Sequence, residues 1–127
     1  MPNKPVIFVT RNLPEAVTQR LTASYEARLN PGDAVLSAEQ VLKGAEGADA
    51  LLVTPTDKLT AELIGKLPAS VRMIATFSVG YEHIDIAAAK ARGLPVSNTP
   101  DVLTDATADI ALLLMLGAAR RAYEGER

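Results

Sequence analysis

The sequence predicts an α/β domain: a doubly wound, five-stranded parallel sheet with helices on both faces. Short apolar runs alternate with amphipathic stretches along the chain. The resulting order is βαβαβαβαβ, which calls for parallel strands joined by crossover helices. There is no internal repeat or low-complexity tract, so the 127 residues suit one globular unit with a sizeable core.

Val6 to Val9 reads as the first strand. A helix follows over Leu13 to Ala23, with Pro14 tolerated in its first turn. Tyr25 to Leu29 is a weaker second strand, ended by Asn30, Pro31 and Gly32. Ser37 and Gln40 have the capping-box spacing for a short helix to about Ala45. Ala50 to Val53 forms the third strand, and Thr60 caps a helix running to Leu67. Val71 to Phe77 is the clearest central strand. Ile84 to Arg92 is a helix closed by Gly93, where a left-handed residue fits, and Pro95 to Ser97 makes the fifth strand. A flavodoxin-like architecture accommodates this order.

The last helix, from Thr104 to Tyr123, is apolar nearly all round: Ile110, Leu112, Leu113, Leu114, Met115 and Leu116 point in successive directions. One domain covers only one side of such a helix. The expected division is therefore a flavodoxin-like domain over residues 1–103 and a linking or interface helix over 104–127, meeting a second domain or subunit.

Composition excludes several classes of function. Thirteen basic and fifteen acidic residues leave a net charge of −2, so neither nucleic acid nor an anionic membrane is an expected partner. The apolar stretch Ala106 to Ala119 is shorter than the ~18 residues that span a bilayer, and it contains Thr107 and Asp109. With no cysteine and one histidine, disulfides, a thiol nucleophile and a bound metal are not expected. The opening Met-Pro-Asn-Lys-Pro does not resemble a secretory leader, and a cytoplasmic location is expected.

Ligands of doubly wound sheets sit beyond the carboxyl ends of the strands, near the switch in strand order. Three loops qualify: Thr10, Arg11 and Asn12; Thr54, Pro55, Thr56 and Asp57; and Ser78, Val79 and Gly80. In the third, Gly80 permits a tight turn, and successive amides form a concavity suited to a carboxylate. A phosphoacceptor domain needs acids where this chain has Thr10 and Thr54. A flavodoxin needs a Ser/Thr/Gly phosphate loop where it has Arg11-Asn12-Leu13-Pro14. Asp101, Asp105 and Asp109 share a helical face as caps and dipole partners, and Arg120 and Arg121 complement the other helix end.

The ordered set FSVGYEHID (77–85), ARGLPVSNTP (91–100) and DVLTDATADIALLLML (101–116) resembles the N-terminal substrate-binding half of the D-isomer-specific 2-hydroxyacid dehydrogenases. The glyoxylate and hydroxypyruvate reductase branch is the nearest in wording. The resemblance implies that the backbone amides of Ser78, Val79 and Gly80 bind the carboxylate of a small 2-oxo or 2-hydroxy acid. It also implies that Thr54 lines the cleft between domains, that Thr107 lies beside the cofactor, and that Asn98 and Pro100 shape a hinge. The family's catalytic arginine, glutamate and histidine have no counterparts here, and His83 matches a structural polar position. Glycines at 32, 44, 47, 65, 80, 93, 117 and 125 give no G-x-G-x-x-G, so the NAD(P)-binding domain is expected to be absent. NAD(P)H is then implied only for the full-length enzyme. The chain alone is expected to be inactive, and to associate with a copy of itself through helix 104–123. The alternative is a non-catalytic, dimerising flavodoxin-like module.

Overall fold

A computed structural model describes residues 4–125. The order is β1 (Val6–Val9), α1 (Glu15–Ser24), β2 (Glu26–Arg28), α2 (Ala38–Gly44), β3 (Ala50–Val53), α3 (Ala61–Lys66), β4 (Met73–Thr76), α4 (Ile86–Ala91), β5 (Val96–Ser97), α5 (Thr104–Ala119) and α6 (Ala122–Gly125). All strands are parallel in a sheet ordered β2-β1-β3-β4-β5, as the sequence predicts.

This order and the right-handedness of crossovers place the helices. The step from β1 to β2 runs one way across the sheet and every later step runs the other way. α1 therefore covers one face, while α2, α3 and α4 cover the opposite face and pack on one another. The core lies under those three helices. Phe8, Leu51 and Ile74 are register neighbours across β1, β3 and β4, and they are buried with Val41, Leu63 and Ile64. The other face is only half covered, because α1 contributes no buried residue and Ile7, Leu52 and Ala75 stay partly exposed.

The local signals act as read. Ser37 and Gln40 form the reciprocal capping box, and Thr60 accepts the Leu63 amide at 3.3 Å. Gly93 takes a φ of +68° and closes α4. Arg92 donates through Nη1 to the Leu67 carbonyl at 2.8 Å and to that of Ile64, tying α4 to the otherwise open end of α3.

Several boundaries differ from expectation: α1 begins at Glu15, with Pro14 as its N-cap rather than in its first turn, β4 spans only Met73–Thr76, and two further shifts have causes in the structure. α4 begins at Ile86 rather than Ile84, because Ile84 is drawn into a parallel bridge with Leu59 and Asp85 caps the helix through the Ala88 amide at 2.8 Å. The last helix does not run from 104 to 123. It stops at Ala119, where the Arg121 amide turns to Ala118 at 3.1 Å and Arg121 adopts a φ of +50°; α6 then starts afresh. Alanine and arginine are good helix formers, so nothing local announces that break. Asp101 also lies outside α5, with a φ of +62°, and does not share a helical face with Asp105 and Asp109.

α5 has no buried residue, and its leucines and methionine stand open, Leu114 at 66% exposure and Leu116 at 65%. Among the described residues, no helix is long and apolar enough to cross a membrane.

Gly44, in the last turn of α2, tests the packing directly, because a Cβ there would fall inside the Phe8 ring. Gly44→Ala is expected to cost about 1–3 kcal/mol in urea unfolding, the range for overpacking a filled core. Phe8→Leu in the same chain should recover part of that loss.

Candidate functional site

The sheet ladder continues past the strand ends. The Thr10 amide reaches the Leu52 carbonyl at 3.1 Å, and the Phe77 amide reaches the Val53 carbonyl at 2.9 Å. Thr10, Thr54 and Ser78 therefore emerge side by side, each carrying one of the three loops expected to matter. β5 contributes the next pair, Asn98 and Thr99.

Those two residues hold the turn. The Thr99 amide donates to the Ser78 carbonyl at 2.9 Å, and Asn98 Nδ2 donates to the Val79 carbonyl at 2.7 Å. Ser78 Oγ donates to the Gly80 carbonyl at 2.7 Å. A planar trans peptide sets its N–H opposite its C=O, so the first two bonds fix the directions of the Val79 and Gly80 amides. Among the described residues, the amides of Ser78, Val79 and Gly80 donate to no acceptor. Three tied carbonyls beside three uncommitted donors form the kind of backbone concavity that accepts an anion.

The need for glycine at position 80 is not the one expected. Gly80 does not adopt a positive φ, so no left-handed turn requires it. A Cβ would instead overlap the Glu82 carboxyl group. Glu82 thus lies against the turn.

The loop after β3 is organised around Asp57, which is 3% exposed. Its Oδ2 accepts from Thr10 Oγ1 at 2.6 Å, from the Thr54 amide at 2.8 Å and from Thr54 Oγ1 at 3.2 Å; its Oδ1 is buried without a partner. Thr54 Oγ1 also lies 3.0 Å from Thr56 Oγ1, which accepts from Arg11 Nη1 at 2.7 Å. Arg11 Nε is paired with Asp33 Oδ1 at 2.8 Å, and that oxygen also takes the Asn12 amide. The Arg11 hydrogen bond, helped by the Asn12 amide, holds the Asp33 carboxyl below its ordinary pKa, and Asp33 raises that of Arg11 in return. Arg11 is therefore already committed, while Lys90 and Lys58 line two hollows beside the turn.

His83 Nε2 lies 2.9 Å from Thr76 Oγ1. Burial pushes the His83 pKa down, against the smaller opposing pull of Asp57 and Glu82, so the ring is neutral near pH 7. Two shallow hollows of about 520 Å³ each flank the turn. One is lined in part by Tyr81, Leu94 and Asn98, the other by Pro55, Glu82 and His83. Neither is lined by Ser78, Val79 or Gly80, which are themselves half-buried.

The structure thus brings Ser78, Val79, Gly80 and Thr54 to one edge of the sheet. Thr107 is exposed on α5. No group of three or more His, Cys, Asp or Glu residues able to hold a metal occurs among the described residues. Ser37, Thr60 and Asp85 cap the N-termini of α2, α3 and α4, whereas α1 and α5 begin without a side-chain cap.

Residues 7–124 match the family described as D-isomer specific 2-hydroxyacid dehydrogenase, catalytic domain. The chain belongs to this family. It is 42% identical to a glycerate dehydrogenase of Hyphomicrobium methylovorum, over 98% of this chain and 39% of that enzyme. It is 39% identical to a glyoxylate reductase of Pyrococcus horikoshii, over 98% of this chain and 37% of that one. Among solved structures, the NADPH-dependent glyoxylate/hydroxypyruvate reductase of Sinorhizobium meliloti, in complex with NADP and malonate, superposes with a TM-score of 0.72 at 33% identity, over 91% of this chain and 34% of its own. The chain therefore spans about two fifths of the length of the curated relatives it matches.

Sequence reasoning left three contributors without roles: Asp33, Thr76 and Asp57. The position of Asp57, three residues after Thr54, is the spacing of a side chain that hydrogen-bonds back to a turn amide, so its contact with Thr54 could have been read. Thr76 gives no local signal, since a threonine at a strand end is ordinary.

The lowered His83 pKa has a consequence for stability. A base whose folded pKa lies below its unfolded value of 6.5 stabilises the fold above that value, and the contribution is lost as pH falls through the folded pKa. Unfolding free energy should therefore begin to decline just below pH 6.5, and His83→Gln should flatten that segment. The decline caused by Asp33 and Asp49, both lowered from 3.8, should survive the substitution at more acidic pH.

Proposed function

We propose that this chain is the substrate-binding part of an NAD(P)-dependent D-2-hydroxyacid dehydrogenase of the glyoxylate/hydroxypyruvate reductase type. Residues 1–103 form the substrate-binding unit and the following helix is the link to what it works against. The carboxylate of a small 2-oxo acid, glyoxylate or hydroxypyruvate, rests on the amides of Ser78, Val79 and Gly80, with Thr54 lining the same side of the cleft. The observation that carries the reading is the turn itself, with three carbonyls tied and three adjacent amides uncommitted. The names of the relatives, glycerate dehydrogenase and glyoxylate reductase, point to the same substrate class.

In the whole enzyme, a bound reduced nicotinamide would supply the hydride for the keto carbon, and a proton delivered to its oxygen would complete the 2-hydroxy acid. This chain provides no catalytic residue for that step. It fixes the carboxylate so that the keto carbon is presented in one orientation, a contribution made through positioning. Thr107, on α5, is assigned to the cofactor side of the cleft. Alone, the chain binds 2-oxo acids weakly and does not turn them over.

α5 is the surface that meets the remainder of the assembly, including a second copy of the chain. Each large apolar side chain buried there contributes roughly 1.5–3 kcal/mol. The exposed row Leu112, Leu113, Leu114, Met115 and Leu116 equally favours the second reading, a non-catalytic module that dimerises through α5.

Two measurements test these readings. Gly80→Val, which must push Glu82 aside and crowd the turn, is expected to weaken binding of oxamate, an unreactive 2-oxo acid analogue, at least tenfold; unchanged affinity in a folded variant sinks the carboxylate assignment. Light-scattering mass across a concentration series should show a dimer that Leu113→Glu with Met115→Glu converts to monomer, with no glyoxylate reduction in either state. Turnover by the isolated chain would refute the division of labour set out above.

A further inference from the structure

We infer that His83 is a positioning residue for the carboxylate turn, acting through a one-way hydrogen-bond relay: His83 Nε2–H to Thr76 Oγ1–H to Ser78 Oγ–H to the Gly80 carbonyl. The inference rests on the reading that this turn holds a carboxylate.

The direction of the relay follows from counting protons. A carbonyl only accepts, so the single hydroxyl hydrogen of Ser78 is spent on Gly80 O at 2.7 Å. The 2.6 Å contact between Thr76 and Ser78 must then use the single hydroxyl hydrogen of Thr76. With that hydrogen spent, the 2.9 Å contact between Thr76 and His83 needs its proton from Nε2. Neutral His83 is therefore the Nε2–H tautomer, and a second proton would go to Nδ1 without breaking the chain.

Two consequences bear on ligand binding. The Ser78 hydroxyl faces inward, so Ser78 offers a carboxylate only its amide. The Gly80 carbonyl, held by the relay, also sets the direction of the Tyr81 amide, because the two belong to one planar trans peptide. The Tyr81 amide donates to no acceptor among the described residues. Asn98 and Thr99 thus aim the Val79 and Gly80 amides from the β5 side, while His83 aims a further one from the opposite side. Thr76 is 3% exposed, so the middle of the relay is shielded from competing water.

As the only histidine in the chain, His83 can be followed without ambiguity. In ¹⁵N-labelled protein with the ring neutral, the expected spectrum shows a protonated Nε2 whose hydrogen exchanges slowly, and an unprotonated Nδ1. His83→Gln, which keeps an N–H donor at the same reach, should leave the Tyr81 amide resonance and oxamate affinity within about twofold of the parent chain. His83→Leu and Thr76→Val should each move the Tyr81 resonance and weaken oxamate about three- to tenfold, the equivalent of one net hydrogen bond. An Nδ1–H tautomer, or a folded His83→Leu chain that binds oxamate as tightly as the parent, overturns the relay. Should Thr76→Val not fold, the ring spectrum and the Gln/Leu pair decide alone. A correct tautomer and a Tyr81 response in a parent chain that does not bind oxamate would uphold the relay and overturn the carboxylate reading.

Discussion

Three polar side chains buried at the carboxyl end of the sheet, Thr10, Asp57 and Thr76, set the geometry on which the rest of the site depends. A polar group removed from water must find a partner inside the protein or cost about 1–3 kcal/mol. Here the partners belong to neighbouring strands and their loops. Asp57 gathers the Thr10 hydroxyl from the end of β1 with the amide and hydroxyl of Thr54 at the end of β3. Thr76, at the end of β4, reaches both His83 and Ser78. Loops that are exposed on the outside are thus anchored from beneath. One atom, Asp57 Oδ1, is left unpaired, a cost accepted within a group whose other oxygen is fully engaged.

The second feature is asymmetry. The face under α2, α3 and α4 has a complete core, whereas the face under α1 has half-covered strand residues and α5 buries nothing. Large apolar side chains stand at 55–66% exposure in a row along α5, a contiguous patch of the kind that the proposed interface would cover. That imbalance accords with a chain spanning about two fifths of its curated relatives.

Much of the fold was legible because it rests on local and periodic signals. Continuous apolar runs marked β3 and β4 as central strands, and Ser37, Gln40, Thr60 and Gly93 punctuated the helices where expected. The misplaced boundaries have long-range or conformational causes. Ile84 looks helical in isolation, but its backbone pairs with Leu59, twenty-five positions away. Arg121 turns left-handed with no glycine or proline to announce it. At the site, the three loops could be named from topology alone. Their internal wiring could not, since a hydroxyl's partner depends on which strand lies beside it. Gly80 illustrates the difference: the tight turn expected there involves no positive φ, and the atoms a Cβ would meet belong to the Glu82 carboxyl group.

The electrostatics of the turn explain why it needs a second half. Its donors are neutral amides, Glu82 lies against it, and Arg11 is spent on Asp33 and Thr56. An interaction between unit charges 4 Å apart is worth about 1 kcal/mol in bulk water and about 4 at an effective dielectric of 20. Fixed dipoles follow the same scaling, so a turn open to solvent holds an anion feebly, while the same turn under a closed lid holds it well. Neutral donors also have an advantage in that setting. They orient a carboxylate without adding a buried charge that needs its own partner, and they leave the cationic contribution to come from elsewhere. On the carboxylate reading proposed above, the turn is a pre-shaped seat whose strength would be supplied only when a second surface excludes water from it.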